Sequence, residues 1–171
     1  MTLFKQYILW KLAHCNTKKP EAASLNLFDK GNLITHRTYH TTNVQSTETG
    51  VSFQTSESCA TTTYAQCVLT IGNAADFKGK TLVFSSPSYG GTSATKISVM
   101  KSLTAVQNGS NWSKVGDVYY SQITVEDKEY TDEKICIMLY AYGKGANELI
   151  LYDEIMVNEG GEVLPYEPYK K

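Results

Sequence analysis

A chain of 171 residues that is 42% hydrophobic and 19% charged can bury one core, and single all-β domains commonly run to this length. Its 16 basic and 17 acidic residues leave a formal charge of -1, which supplies no field to collect nucleic acid or anionic lipid. No apolar run approaches the roughly 20 residues of a membrane-spanning helix. The four cysteines, Cys15, Cys59, Cys67 and Cys136, lack CxxC or CxxCH spacing and give no support to a disulfide scaffold, a zinc site or a redox centre.

In chain order, the first element reads as a helix. Thr2 can cap it, and Leu3, Phe4, Tyr7, Ile8, Trp10 and Leu12 recur at helical spacing, so a helix is expected over 2–13 in an N-terminal arm spanning 1–15. A helix this short must bury so broad a stripe against something, which makes Leu3, Phe4, Tyr7, Ile8 and Trp10 candidate docking residues for another protein. Lys5 ahead of an apolar run ending in Leu12-Ala13-His14-Cys15 faintly resembles a lipoprotein signal. Lys11 interrupts that run, and bulky His14 stands where a small residue is wanted, so an arm is the better reading. The polar stretch 16–24, with Pro20, reads as a linker.

From residue 25 to 171 short β-rich runs alternate with turn residues, the pattern of an antiparallel sandwich or barrel with almost no helix. Ala65, Cys67, Leu69 and Ile71 alternate with Tyr64, Gln66, Val68 and Thr70 until Gly72-Asn73. Further strand-like runs carry Leu82 and Phe84 after Gly79, then Ile97 and Val99, then Tyr119, Ile123 and Val125. The strongest strands are expected at 134–142 and 148–157, central in the sheet and joined as a hairpin by the loop 143–147. Cys67 and Cys136 fall inside apolar runs and read as reduced, buried thiols.

The closing stretch Leu151-Tyr152-Asp153-Glu154-Ile155-Met156-Val157-Asn158-Glu159-Gly160, followed by Leu164-Pro165-Tyr166-Glu167-Pro168-Tyr169, resembles the last strand and tail of phage minor structural proteins. Those proteins carry jelly-roll modules like carbohydrate-binding modules. Asn26-Leu27-Phe28-Asp29 is similar to the opening strand of such a module, and Phe77-Lys78-Gly79-Lys80-Thr81-Leu82 to the turn into an early core strand. The resemblance brackets 25–171 and leaves the helical arm outside it. It implies a jelly-roll sandwich on a virion assembled in the host cytoplasm, present in many copies, docked to other virion proteins by the arm and turned toward host-surface glycan. The tail has a reading of its own: Pro165 and Pro168 cannot continue a central strand, so Tyr166 and Tyr169 should lie back on the sandwich as a clasp.

Several other candidate residues have plainer roles. His36 and His40 would converge on a metal only on a helix, and 35–42 is too rich in β-branched and aromatic residues for one. Glu126 with Asp127 and Asp132 with Glu133 sit around Tyr130 in a polar stretch that reads as solvated turns, and no nucleophile elbow, phosphate loop or zinc-protease helix is present. The expectation is therefore a protein that is not an enzyme. Asp153 lies in what reads as an inward row with Leu149, Leu151, Ile155 and Val157, and something must satisfy it. Nearby backbone would do so; the resemblance implies instead a structural Ca²⁺ shared with Asp29.

With Ile135, Ile137, Leu139 and Ala141 facing inward, Cys136, Met138, Tyr140 and Tyr142 face out. Tyr140 and Tyr142 are the first candidates to stack on sugar rings, and Tyr120, Gln122 and the loop residue Trp112 the second. Tyr89, in Ser88-Tyr89-Gly90-Gly91, is a further loop aromatic. Tyrosines are also common cross-strand packers, the plain reading of the same row. The sequons at Asn108 and Asn111 matter only to a eukaryotic secretory protein. Besides the virion reading, a glycan-binding module of a secreted bacterial protein and a scaffold that binds no sugar both fit the residues.

Overall fold

The computed structural model describes residues 26–169. The helix expected over 2–13, its docking residues Leu3, Phe4, Tyr7, Ile8 and Trp10, and Cys15 lie outside them. The described chain forms twelve strands: β1 (Ile34–Tyr39), β2 (Thr41–Ser46), β3 (Val51–Thr55), β4 (Tyr64–Asn73), β5 (Thr81–Ser86), β6 (Lys96–Lys101), β7 (Thr104–Asn108), β8 (Ser113–Val115), β9 (Val118–Thr124), β10 (Lys134–Tyr142), β11 (Leu149–Tyr152) and β12 (Met156–Glu159). Its helical content is two single 3-10 turns, Lys30–Asn32 and Ala74–Phe77.

All strand pairs are antiparallel. They build a five-stranded sheet ordered β1-β4-β10-β6-β7, a three-stranded sheet β11-β3-β2 and a four-stranded sheet β12-β5-β9-β8. One core is shared by all three: Ala65, Cys67, Leu69, Ile135, Ile137, Leu139 and Ala141 meet Phe53 and Tyr152 and also Leu82, Phe84 and Ile123. The inward row expected on β10 therefore stands, the apolar runs read on β4, β5, β6 and β9 feed the same core, and the fold is an all-β antiparallel sandwich.

Three expectations fail. Strands β10 and β11 form no hairpin: β10 pairs with β4 and β6, whereas β11 pairs with β3 across the core. The run 148–157 is two strands in different sheets, broken at Asp153-Glu154, where Glu154 takes φ +44. That break resets the side-chain phase. Leu149 and Leu151 point outward, 75% and 49% exposed, while Ile150 and Tyr152 point in, so the expected inward row is inverted before the break, whereas beyond it Ile155 and Val157 are buried as expected. The buried Tyr152 hydroxyl gives the physical reason, since it donates to Tyr140 O at 2.6 Å and lies 2.9 Å from Thr95 Oγ1.

The outward face of β10 is also less open than alternation suggests. Cys136 and Met138 are buried with Val68 and Met100 in a second, small apolar cluster. The β6–β7 turn straps over this cluster to the far edge of the sheet, where Arg37 Nη1 donates to Leu103 O at 2.7 Å and His36 Nε2 meets Ser102 O.

Opening segment and closing strand are knitted by one side chain. Buried Asn26 donates from Nδ2 to Ile155 O and to Glu167 O, both at 2.9 Å, and accepts at Oδ1 from Phe28 N and Val157 N, both at 3.0 Å. Leu27 N adds a bond to Val157 O, which covers the free edge of β12. The tail is thereby clasped to the body, helped by Asn158 Nδ2 donating to Glu162 O at 3.2 Å.

Candidate functional site

The site grows from three adjacent strands of the five-stranded sheet. Register sets Tyr39 opposite Gln66 and Gln66 opposite Tyr140, with Tyr64 opposite Tyr142 one step further along the same outer face. Ring centroids run 5.1 Å from Tyr39 to Tyr64 and 5.3 Å from Tyr64 to Tyr140, at tilts of 38° and 48°. Tyr39, Tyr64 and Tyr142 are 46%, 41% and 50% exposed, and Tyr140 is half-buried between them and the apolar cluster. Single exposed aromatics need no explanation, but three contiguous ones on a stiff sheet do.

Beneath the rings, Gln66 is almost fully buried and accepts at Oε1 from Arg37 Nη2 at 2.6 Å. Gln66 Nε2 and Arg37 Nε, both buried, have no hydrogen-bond partner among the described residues. Burial raises the Tyr140 phenol above its ordinary value, Tyr64 adding to the effect and Arg37 opposing it, so the phenol is neutral at physiological pH. The face thus offers apolar ring surface edged by hydroxyls, with an amide and a guanidinium under it. Aromatic surface with polar groups beside it can pack against a flat apolar face and hydrogen-bond groups at its edge.

The five residues singled out for glycan contact do not form one site. Tyr140 and Tyr142 lie on this face. Tyr120 and Gln122 come together elsewhere, outward on β9 in the four-stranded sheet, where they and Val163, Leu164 and Pro165 of the tail line a groove of about 590 Å³. Trp112 is no loop anchor: it is 5% exposed and packs on Phe84 at 4.7 Å and Tyr119 at 6.2 Å. Tyr89 is the exposed end of that stack, 4.9 Å from Tyr119.

Asp29 and Asp153 are each used locally. Asp29 Oδ1 accepts from Gly31 N at 2.9 Å and caps the first 3-10 turn, and Asp153 Oδ1 accepts from Glu154 N at 3.1 Å at the strand break. Among the described residues no three His, Cys, Asp or Glu side chains gather as metal ligands. His36 and His40 stand at different levels of β1 and its turn, His36 on Ser102 O and His40 Nδ1 at 3.0 Å from Ser58 Oγ.

Tyr39 and Tyr64 are the members that sequence reading passed over. Tyr64 was legible as the outward partner of Ala65, but Tyr39 stands in a Thr-rich strand, every residue of which is at least partly exposed, with no apolar alternation to mark it. Compared with known proteins, the chain matches no family model, no curated protein and no solved structure. The class that fold and site define is an antiparallel β-sandwich with an exposed tyrosine face.

Proposed function

We propose that the chain is a non-catalytic jelly-roll module that binds glycan through Tyr39, Tyr64, Tyr140 and Tyr142, carried in many copies on a bacteriophage particle and turned toward the host surface. The observation that carries the glycan reading is the cluster of four tyrosines on three neighbouring strands, Tyr39, Tyr64 and Tyr140 in ring contact and Tyr142 opposite Tyr64 in register, three of them exposed. Jelly-roll winding is supported by the way the chain through β3, β4, β5 and β6 alternates between the five-stranded sheet and the two smaller ones. The virion placement rests on the resemblance of the closing strand and tail to phage structural proteins, with the arm over 1–15 as the docking element.

A tyrosine stacked on a sugar contributes on the order of 1 kcal/mol, so single-site affinity is low and function depends on copy number. The test is a glycan array and a bacterial-cell binding assay with the protein displayed multivalently. Tyr64→Ala and Tyr142→Ala, each verified as folded by circular dichroism, should lose most of the signal. If wild type captures no glycan or cell, or the folded variants bind equally well, the rings are cross-strand packers and the protein is a scaffold.

A further inference from the structure

The tyrosine face does not end at its last ring. Tyr39 closes β1, Tyr64 opens β4 and Tyr142 closes β10, so all three stand at the end of the sandwich where the β1–β2 turn, the loop 56–63 and the loop 143–147 gather. Those loops are tied together there, with Cys59 Sγ 3.6 Å from Lys144 O and Thr55 Oγ1 donating to Gly145 O at 2.6 Å. Beside that end lies an open cleft of about 620 Å³, whose lining includes Asn43, Gln54, Ser56, Glu57, Ser58 and Asn147. This volume falls within the usual range for small-molecule sites.

The cleft is built rather than incidental. Asn43 Nδ2 donates to Gln54 Oε1 at 2.9 Å, and Gln54 Nε2 donates to Asn147 O at 3.1 Å, so the amides are held in one orientation. Asn43 and Asn147 both occupy the left-handed backbone region, at φ +50 and +60, as does His40 at +46. Such conformations cost energy outside glycine and concentrate where side chains must be aimed. His40 joins the two surfaces: its ring meets Tyr39 edge-on at 4.2 Å, and its Nδ1 lies 3.0 Å from Ser58 Oγ on the cleft wall.

We infer that the tyrosine face and this cleft are one extended site for a neutral linear oligosaccharide, which stacks across Tyr64 and Tyr39 and turns past His40 so that its next hydroxyls meet Asn43, Gln54 and Ser58. The inference rests on the glycan reading and deepens it: the site takes a stretch of chain, not a single terminal sugar. Rings alone provide stacking with little discrimination, whereas fixed amides and hydroxyls select hydroxyl positions.

The test uses the full chain labelled with ¹⁵N and titrated with cello- and chito-oligosaccharides from disaccharide to hexasaccharide. One or two extra net hydrogen bonds should make the hexasaccharide bind about tenfold tighter than the disaccharide. The side-chain amide signals of Asn43 and Gln54 should shift with the hexasaccharide and not with the disaccharide. Asn43→Ala should remove the length gain, and Gln54→Ala should do the same as an independent check. Binding that is independent of length, or a length gain that survives in both folded variants, overturns the extended site while leaving the tyrosine face intact. Absence of binding by every oligomer, with an equally blank array, overturns both readings.

Discussion

Replacing Asn26 with alanine tests the clasp that closes the sandwich. The side chain is 2% exposed and engages four backbone groups, Ile155 O, Glu167 O, Phe28 N and Val157 N, on three separate segments. Three of those bonds are buried, where water cannot replace the lost partner. At ~1–3 kcal/mol for each buried group left unsatisfied, and less for the tail carbonyl, the expected loss is about 4 kcal/mol. That is a large fraction of the ~5–15 kcal/mol that holds an ordinary domain together. With a urea m-value of about 2 kcal/mol/M, the unfolding midpoint followed by far-UV circular dichroism should fall by about 2 M. Asn158→Ala is the comparison: it is equally buried, but its Nδ2 donates only to Glu159 O and Glu162 O nearby in the chain, so its midpoint should fall by well under half as much. Asn26→Asp keeps the acceptor yet sets carboxylate oxygen against two carbonyls, and it should be unstable at neutral pH and recover on acidification, when the protonated acid can donate. A drop of less than about 0.5 M for Asn26→Ala would refute the clasp.

Further outcomes follow from the same structure. Burial pushes the Cys67 thiol up to about 12 from its ordinary 9.0, Cys136 to about 11, and Tyr152 from 10.0 to about 12. The unfolded chain therefore sheds protons first as pH rises: stability is full below about 9, falls through that window, and should fall less steeply in Cys67→Ala, read as urea midpoints against pH. Cys59, Cys67 and Cys136 are free and buried, so a thiol reagent should miss them in the native protein and find all of them in denaturant without reductant. Gly90 has no room for a Cβ, which would clash with Tyr140 O and the Tyr152 hydroxyl, so Gly90→Ala should cost several kcal/mol and lower the thermal midpoint accordingly. Amide donors from Thr131 and its own backbone, with Lys101, hold Glu133 at about 2 against an ordinary 4.5. Its stabilisation is present above 4.5 and lost as pH falls toward 2, and Glu133→Gln should flatten that acid limb of the stability curve.

The sequence by itself determined the fold class and the inward rows of the long strands, because alternation on β4, β5 and β10 is enforced by burial on one face and survives any choice of partner. It also marked Tyr140 and Tyr142 as outward residues. Only the tertiary structure decided pairing, since alternation states which face is buried and not which strand lies alongside: β10 and β11, neighbours in sequence, belong to different sheets. Strands β1 and β2 leave little apolar period to read because their side chains all stay at least partly exposed, and β3, although it buries Val51 and Phe53 in alternation, is only five residues long. The tyrosine face needed three strands from distant parts of the chain, the cleft needed two loops and a bulged strand, and Trp112 was removed from candidacy by what packs over it. Each of these depends on contacts between segments far apart in the chain, which short-range patterning does not encode.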